Sequence, residues 1–228
     1  MKVALIPARG GSKRIPRKNI KEFCGKPIIG YSVEAAIKSG LFDRVVVSSD
    51  DKEIIDIACS YGAEAPFIRP PELSDDFATT LDVIQHSINE LKLSEKDQLC
   101  CIYATAPFVR STDLTEASKL LSTEQLDYVF SATEYRFPIQ RALKINSGGF
   151  SEMFQKGHET TRSQDLEIAF HDAGQFYFGN VNAFSQGKGI LTGSKSKPHI
   201  LPSYRVQDID TQEDWQHAEL MYNCLDLK

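Results

Sequence analysis

The chain has 228 residues, 41% hydrophobic and 25% charged, the balance of a globular domain rather than a disordered, collagen-like or disulfide-built chain. Its net charge of −5 argues, as an average, against a long polyanion such as nucleic acid as partner. No apolar run nears the ~18 residues of a membrane span, the opening stretch is too short for a signal peptide, and five cysteines without Cys-x-x-Cys spacing read as plain thiols, so a cytoplasmic protein is expected.

Residues 2–7 are apolar and β-prone and run into Ala8-Arg9-Gly10-Gly11-Ser12, which predicts a buried strand ending in a glycine loop. Residues 30–40 follow as a helix, with Val33, Ala36 and Ile37 on one face and Gly40 as the stop. A second buried strand spans 44–49 around Val45-Val46-Val47. Asp51 is placed to cap a helix over 52–61, which Gly62 closes. A short strand over 66–69, a polar turn over 70–78 and a helix over 80–91 come next, with Thr79 or Thr80 as the cap. Strand 99–103, loop 104–110, helix 113–121 and strand 128–132 continue the alternation. Between 133 and about 164 it breaks down around Pro138, Gly148, Gly149 and Gly157, as a flap, β-arm or subunit contact would. Strand character returns at 175–178, and a last unit at 204–209 leads through Asp210-Thr211 into helix 212–225. The alternation predicts an α/β fold: one domain over 1–228, its mostly parallel sheet flanked by helices.

The strongest chemical signal is the glycine loop itself. A glycine pair after a strand lets the backbone turn and its N–H groups face an anion. Arg9, Lys13, Arg14, Arg17 and Lys18 surround that turn, so a compact polyphosphate is the expected ligand. Neither Walker A nor Gly-x-Gly-x-x-Gly spacing is present. A nuclear-targeting or nucleic-acid patch would also be basic, but it has no reason to be fused to the carboxyl end of a buried strand, where open α/β sheets bind ligands.

The second signal is Asp208-Ile209-Asp210-Thr211. In an extended strand Asp208 and Asp210 point the same way and suit Mg²⁺, which takes one or two carboxylates together with substrate phosphates. The competing reading makes Thr211 a helix cap, with Asp214 completing a capping box. The third is Arg69 through Thr80, one arginine and several hydroxyls on a rigid turn that either reads a base edge or is a solvated loop. The fourth is the polar block Arg162-Ser163-Gln164-Asp165 with His171-Asp172-Ala173-Gly174. Arginine there suits a carboxylate, and His171 is a candidate substrate contact. The other histidines show no ligand spacing. Asp50 and Asp51 end a central strand, with helix capping the stronger role for Asp51.

Together IPARGGSKRIPRKN, RPPELSDDFATT, YATAP and DIDT resemble, in order and over nearly the whole chain, the CMP-nonulosonate synthetases, which couple CTP to sialic-acid-like sugars. The block from Arg162 to Gly174 most resembles the branch that takes pseudaminic acid. The resemblance implies a Rossmann-like nucleotidyltransferase fold, a homodimer built by a small arm at 133–165 that can double as a substrate lid, and Mg²⁺ as cofactor. It implies nucleotide contacts at Ala8, Arg9, Gly10, Gly11, Ser12, Lys13, Lys18, Asn19, Arg69, Ala78 and Thr80. It implies metal ligation by Asp208 and Asp210, which with Lys18 form the catalytic set. Contacts to a nine-carbon acidic sugar fall on Tyr103, Arg162, Gln164, Asp165, His171 and Tyr177. Typical sialic acid synthetases carry glutamine at Tyr103 and arginine at His171, which points away from N-acetylneuraminic acid. Alternatives are a cytidylyltransferase for N-acetylneuraminic, legionaminic or 3-deoxy-octulosonic acid and, outside enzymes, a CTP-sensing module. Between Arg9 and Lys26 seven Lys/Arg stand against one acid, Glu22, a local +6 that leaves −11 on the rest. An acidic protein thus carries a focused basic pocket suited to a short polyanion.

Overall fold

The computed structural model describes residues 1–225; the last three of the expected 1–228 domain lie outside the described residues. β1 (Lys2–Pro7) leads through the glycine loop to a short hairpin, β2 (Glu22–Phe23) and β3 (Lys26–Pro27), and to α1 (Ile28–Ser39). β4 (Arg44–Ser48), α2 (Lys52–Ser60), α3 (Thr80–Glu90), β5 (Gln98–Ile102), α4 (Ser111–Thr123) and β6 (Tyr128–Glu134) continue the expected alternation. A hairpin of β7 (Leu143–Ile145) and β8 (Ser151–Met153) precedes β9 (Phe170–Asn180), α5 (Val181–Ser185), β10 (Ser196–Ile200) and α6 (Gln212–Cys224).

The main sheet has the order β10-β6-β9-β5-β1-β4. β9 runs antiparallel to both neighbours, and every other adjacent pair is parallel. Within β1 the pleat sends Ala4 and Ile6 into the core under α1, α2 and α4, and Val3 and Leu5 into the core under α3 and α5. Both faces are therefore covered, which is why the central strands read as unbroken apolar runs. A third cluster joins Ile15, Phe23 and Ile209 to Trp215 and Tyr222 of α6, with Phe23 edge-on to both rings at 5.5 Å. It anchors the first loop and the last helix to one another.

Three expectations need correction. Residues 66–69 form no strand. Pro66 and Pro70 remove ladder donors, and the segment follows β4 only through the Glu64–Val46 bridge and the Arg69 N–H to Ser49 oxygen bond at 2.9 Å. Residues 204–209 form no strand either: a tight turn at Ser203–Arg205 passes into irregular chain. The strand of that unit is β10, an edge strand that tolerates Pro198. The strand expected at 175–178 is eleven residues long and antiparallel. Its reversal puts His171 and Asp172 at the edge where β1, β5 and β6 end. The irregular region is part β6, part exposed hairpin, whose turn is held by Asn146 Oδ1 accepting from the Gly148 and Phe150 N–H groups at 3.0 Å. No helix among the described residues is long and apolar enough to cross a membrane.

Candidate active site

The glycine loop is shaped by the end of β4. The Ala8 N–H donates to Ser48 at 2.9 Å, so Ala8 prolongs the sheet and its methyl is buried. The Gly10 N–H donates to Asp50 Oδ1 at 2.9 Å, and a Cβ on Gly10 would stand 2.9 Å from Asp51 Oδ2. That approach demands glycine; Gly11 faces open space. Asn19 then donates from Nδ2 to the Arg9 carbonyl at 2.9 Å and folds the basic run back on itself. Ala8, Gly10 and Gly11 accordingly build the loop and do not line the cleft beside it.

That cleft holds about 300 Å³. Arg9, Ser12, Lys13, Lys18 and Asn19 line one side, and Arg69, Ala78 and Thr80 line the other, beside Tyr103. Thr80 is in place because Thr79 caps α3, accepting from the Asp82 N–H while the Asp82 carboxylate accepts from Thr79. Arg69 is 4% exposed, and its Nε and Nη2 have no hydrogen-bond partner among the described residues. Burial lowers its pKa, opposed by the charge of Asp50. A buried cation with free donors beside a cleft is suited to an acceptor that a ligand brings.

The loop cations already face carboxylates. Asp76 pairs with Arg9 at 3.0 Å and with Lys13 at 2.5 Å. Arg9 also donates to the Asp75 carbonyl, and Arg17 is held by Asp51 and Glu53. Asp51 has a second role as the cap of α2, accepting from the Ile54 N–H at 3.1 Å. Arg14 and Lys18 lie 2.8 and 3.3 Å from Asp210 Oδ1. Carboxylates therefore occupy the partners that phosphate oxygens would take.

Asp210 stands beside this cleft, held there by Arg14 and Lys18 and not by the alternation of a strand, and Asp208 is two residues before it. Thr211 caps α6 and Asp214 completes the box, so Asp210 is free of the capping role. Asp208 forms no ion pair among the described residues. Crowding by surrounding protein raises its pKa, and the nearby Asp210 adds to the rise; the residue stays exposed, so water tempers both effects. Two adjacent carboxylates that repel one another fit a hard divalent cation. No group of three or more His, Cys, Asp or Glu side chains suited to a metal exists among the described residues. Phosphate and water would supply the remaining ligands, the pattern magnesium favours.

The predicted sugar contacts are dispersed. The Tyr103 hydroxyl lies 3.0 Å from Thr80 Oγ1, with its ring edge-on to Tyr177 at 5.7 Å. Tyr177 is buried against Phe130 and Ala132 and donates its hydroxyl to Asp172, so it backs Tyr103 and does not line the cleft. Burial holds both phenols above their ordinary pKa. His171 packs on Tyr135 at 4.6 Å and lines a separate cleft of about 230 Å³ with Glu134, Arg136, Gln207 and His217. Arg162 is paired with Asp165 at 2.8 and 3.1 Å in the turn Ser163–Asp165; neither they nor Gln164 line either cleft. A larger cavity of about 600 Å³, beside Tyr31, Phe108 and Tyr222, shares no residue with the loop cleft, and its Lys26 is neutralised by Glu34 at 2.7 Å. Size alone would favour that cavity, but the unsatisfied buried arginine and the cation loop belong to the smaller one.

A family model described as cytidylyltransferase matches residues 3–225. The chain belongs to the cytidylyltransferase family. Pseudaminic acid cytidylyltransferase of Campylobacter jejuni subsp. jejuni serotype O:2 is 47% identical over 226 residues, covering 96% of this chain and 95% of that one. N-acylneuraminate cytidylyltransferase A of Danio rerio is 37% identical over 217 residues, 95% of this chain and 49% of the relative. Among solved structures, the CMP:2-keto-3-deoxy-manno-octonic acid synthetase complexed with CTP superposes with a TM-score of 0.68 at 16% identity, covering 98% of this chain and 99% of that one, a likeness of fold. The cytidylyltransferase cleft also holds residues to which the sequence assigned no contact, among them Asp76, which grips two loop cations, and Thr105, on the lining; Arg14, expected only as one of the loop cations, reaches Asp210. Arg14 and Asp76 lie inside motifs that the sequence displays, but their partners are remote in the chain.

Proposed function

We propose that this chain transfers CMP from CTP to the anomeric hydroxyl of a nonulosonic acid, with pseudaminic acid as the preferred sugar, and releases pyrophosphate. The observation that carries the reading is the pairing, across one cleft, of the cation loop with the buried, unsatisfied Arg69. Identity of 47% to a pseudaminic acid cytidylyltransferase supports the choice of sugar, as does tyrosine at 103 with histidine at 171. A CTP sensor without chemistry has no use for a carboxylate pair.

In this reading Arg69, Ala78 and Thr80 receive the cytosine side. Arg9, Ser12 and Lys13 hold the triphosphate, with Lys18 and Asn19 beneath it. Phosphate oxygens displace Asp76 from Arg9 and Lys13. The sugar hydroxyl attacks the α-phosphorus, the bond to the bridging oxygen of pyrophosphate breaks, and the cations neutralise the leaving group. Positioning and charge stabilisation provide most of the acceleration. Asp208 and Asp210 would hold the Mg²⁺, which when bound neutralises phosphate oxygens and polarises the attacking oxygen.

The sugar side lies toward Tyr103 and His171. The arm supports a homodimer: Phe137, Leu143, Ile145, Phe150 and Phe154 are all exposed on it, more apolar surface than a lone protomer ordinarily leaves in water. Arg162, Gln164 and Asp165 ride on that arm, and a partner's cleft is where they would meet sugar. CTP as substrate keeps the cytoplasm as the proposed compartment. The test is pyrophosphate release from CTP, Mg²⁺ and a panel of nonulosonic acids, with UTP, GTP and ATP alongside. Release with CTP and pseudaminic acid is expected; tight CTP binding without release for any sugar sinks the enzyme reading.

A further inference from the structure

Asp208 and Asp210 stand on chain that belongs to no strand, so other contacts must hold that loop in place. Downstream, Ile209 is 1% exposed in the cluster with Ile15, Phe23 and Trp215, and the Thr211–Asp214 box starts α6. Upstream is Arg205, at the end of the turn Ser203–Arg205 and buried. Its Nη1 donates to Asp113 Oδ2 at 2.8 Å and its Nη2 to Asp113 Oδ1 at 3.0 Å. Asp113 is likewise buried in the first turn of α4, and its Oδ2 also accepts from the Arg110 N–H at 3.1 Å. The Arg205 carbonyl accepts from Gln175 Nε2 at 2.7 Å, and the Gln175 carbonyl accepts from the Tyr103 N–H at 2.9 Å. The residue three places before Asp208 is thus tied by its side chain to α4 and by its main chain to β9. His199 Nε2 stands 3.7 Å from Asp113 Oδ1, beyond hydrogen-bond distance, and faces the clamp from β10 without the paired bonds that Arg205 makes.

A buried ion pair is a weak source of stability, because the dehydration of both charges offsets their attraction and an apolar pair of similar size often serves as well. Two parallel bonds supply something an apolar contact lacks, a fixed angle as well as a fixed distance. We infer that Asp113 and Arg205 are positioning residues for the metal-binding carboxylates, setting where loop 206–210 stands against the phosphate cradle. The inference rests on the reading of Asp208 and Asp210 as cation ligands in nucleotidyl transfer.

The decisive variant is the double replacement Asp113→Leu with Arg205→Met, which removes the clamp without leaving a buried charge unpaired. Thermal unfolding reports the fold, calorimetry with Mn²⁺ in the presence of CTP reports the metal site, and pyrophosphate release reports turnover. The expected result is a cooperatively folded protein whose metal-free CTP affinity matches the wild type. Its Mn²⁺ affinity should fall about 10-fold or more, and kcat should fall in the same range with little change in KM for CTP. A folded double variant with wild-type Mn²⁺ binding and kcat overturns the proposal. Should the double variant fail to fold, Arg205→Lys keeps the charge and loses the fork; the same split between kcat and KM is expected, and wild-type values would again overturn it. Failure of the wild type itself to release pyrophosphate with any sugar counts against the enzyme reading, whereas the Mn²⁺ titration judges the clamp independently of turnover.

Discussion

Lys18 and Ile209 are 191 residues apart in the chain, yet Lys18 Nζ donates to the Ile209 carbonyl at 2.6 Å and lies 3.3 Å from Asp210. One ammonium therefore joins the loop after the first strand to the loop before the last helix. It sets the expected phosphate contacts beside Asp210, one of the two expected metal ligands. Asp210→Asn should reduce turnover by about 10²–10³-fold, the usual scale for one lost stabilising group, and leave the melting temperature nearly unchanged. Thr211→Ala should do the reverse, costing about 1 kcal/mol as a lost helix cap with activity largely kept. Paired melting curves and initial rates on the two variants separate the metal role from the capping role.

Arg69 is buried with its Nε and Nη2 unsatisfied among the described residues, so the ligand-free protein should gain from its removal. Arg69→Met is expected to raise stability by about 1 kcal/mol, since each unsatisfied buried donor is a penalty of that order. The same variant should lose most of the thermal shift that CTP gives the wild type. Differential scanning with and without CTP checks both halves. A variant that melts lower and still responds fully to CTP would assign Arg69 to the core and not to the base.

The sequence is most legible where one physical rule acts alone. Runs such as Val45-Val46-Val47 read correctly because strands covered on both faces are mostly apolar, and Thr211 with Asp214 reads correctly because capping is local. β9 is readable only in its apolar half: the Phe170–Gly174 portion is polar, and strand direction depends on the pairing partners, which composition does not encode. β10 is concealed by Ser196-Lys197-Pro198-His199, the polarity permitted at a sheet edge. At the site, Asp208 and Asp210 are identifiable as a pair, although the same-face argument for them fails and it is ion pairs to Arg14 and Lys18 that hold Asp210 in place. Arg162 and Asp165 stand out by residue type but satisfy one another three positions apart, a pairing that their chemistry conceals.

Asp76 grips Arg9 and Lys13, the two cations that the proposed function gives to the triphosphate. Asp76→Asn should release both cations and tighten binding of pyrophosphate and of metal-free CTP by a few-fold, since exposed pairs are individually weak. The gain should shrink as salt rises, because the wild-type pairs are themselves screened. Titrations at low and high ionic strength measure it. Equal affinities for variant and wild type at low salt would mean that Asp76 gives way without cost.

The Asp113–Arg205 clamp also has a signature in acid. Burial pushes the Asp113 carboxyl up, but His199 and Arg205 facing it, with Arg205 the closer, carry it down to about 2. A carboxyl held below its unfolded value near 3.9 adds stability that is fully present above that value and is lost as pH falls toward 2. The difference amounts to about 2 kcal/mol. Wild-type stability should therefore drop with falling pH across this interval partly on account of Asp113. In the double Asp113→Leu, Arg205→Met variant that share of the slope should vanish while the shares of other carboxylates remain. Denaturant midpoints measured from pH 5 down to pH 2.5 provide the comparison, and parallel slopes for the two proteins would show that the buried pair titrates in the folded state as it does in the unfolded chain.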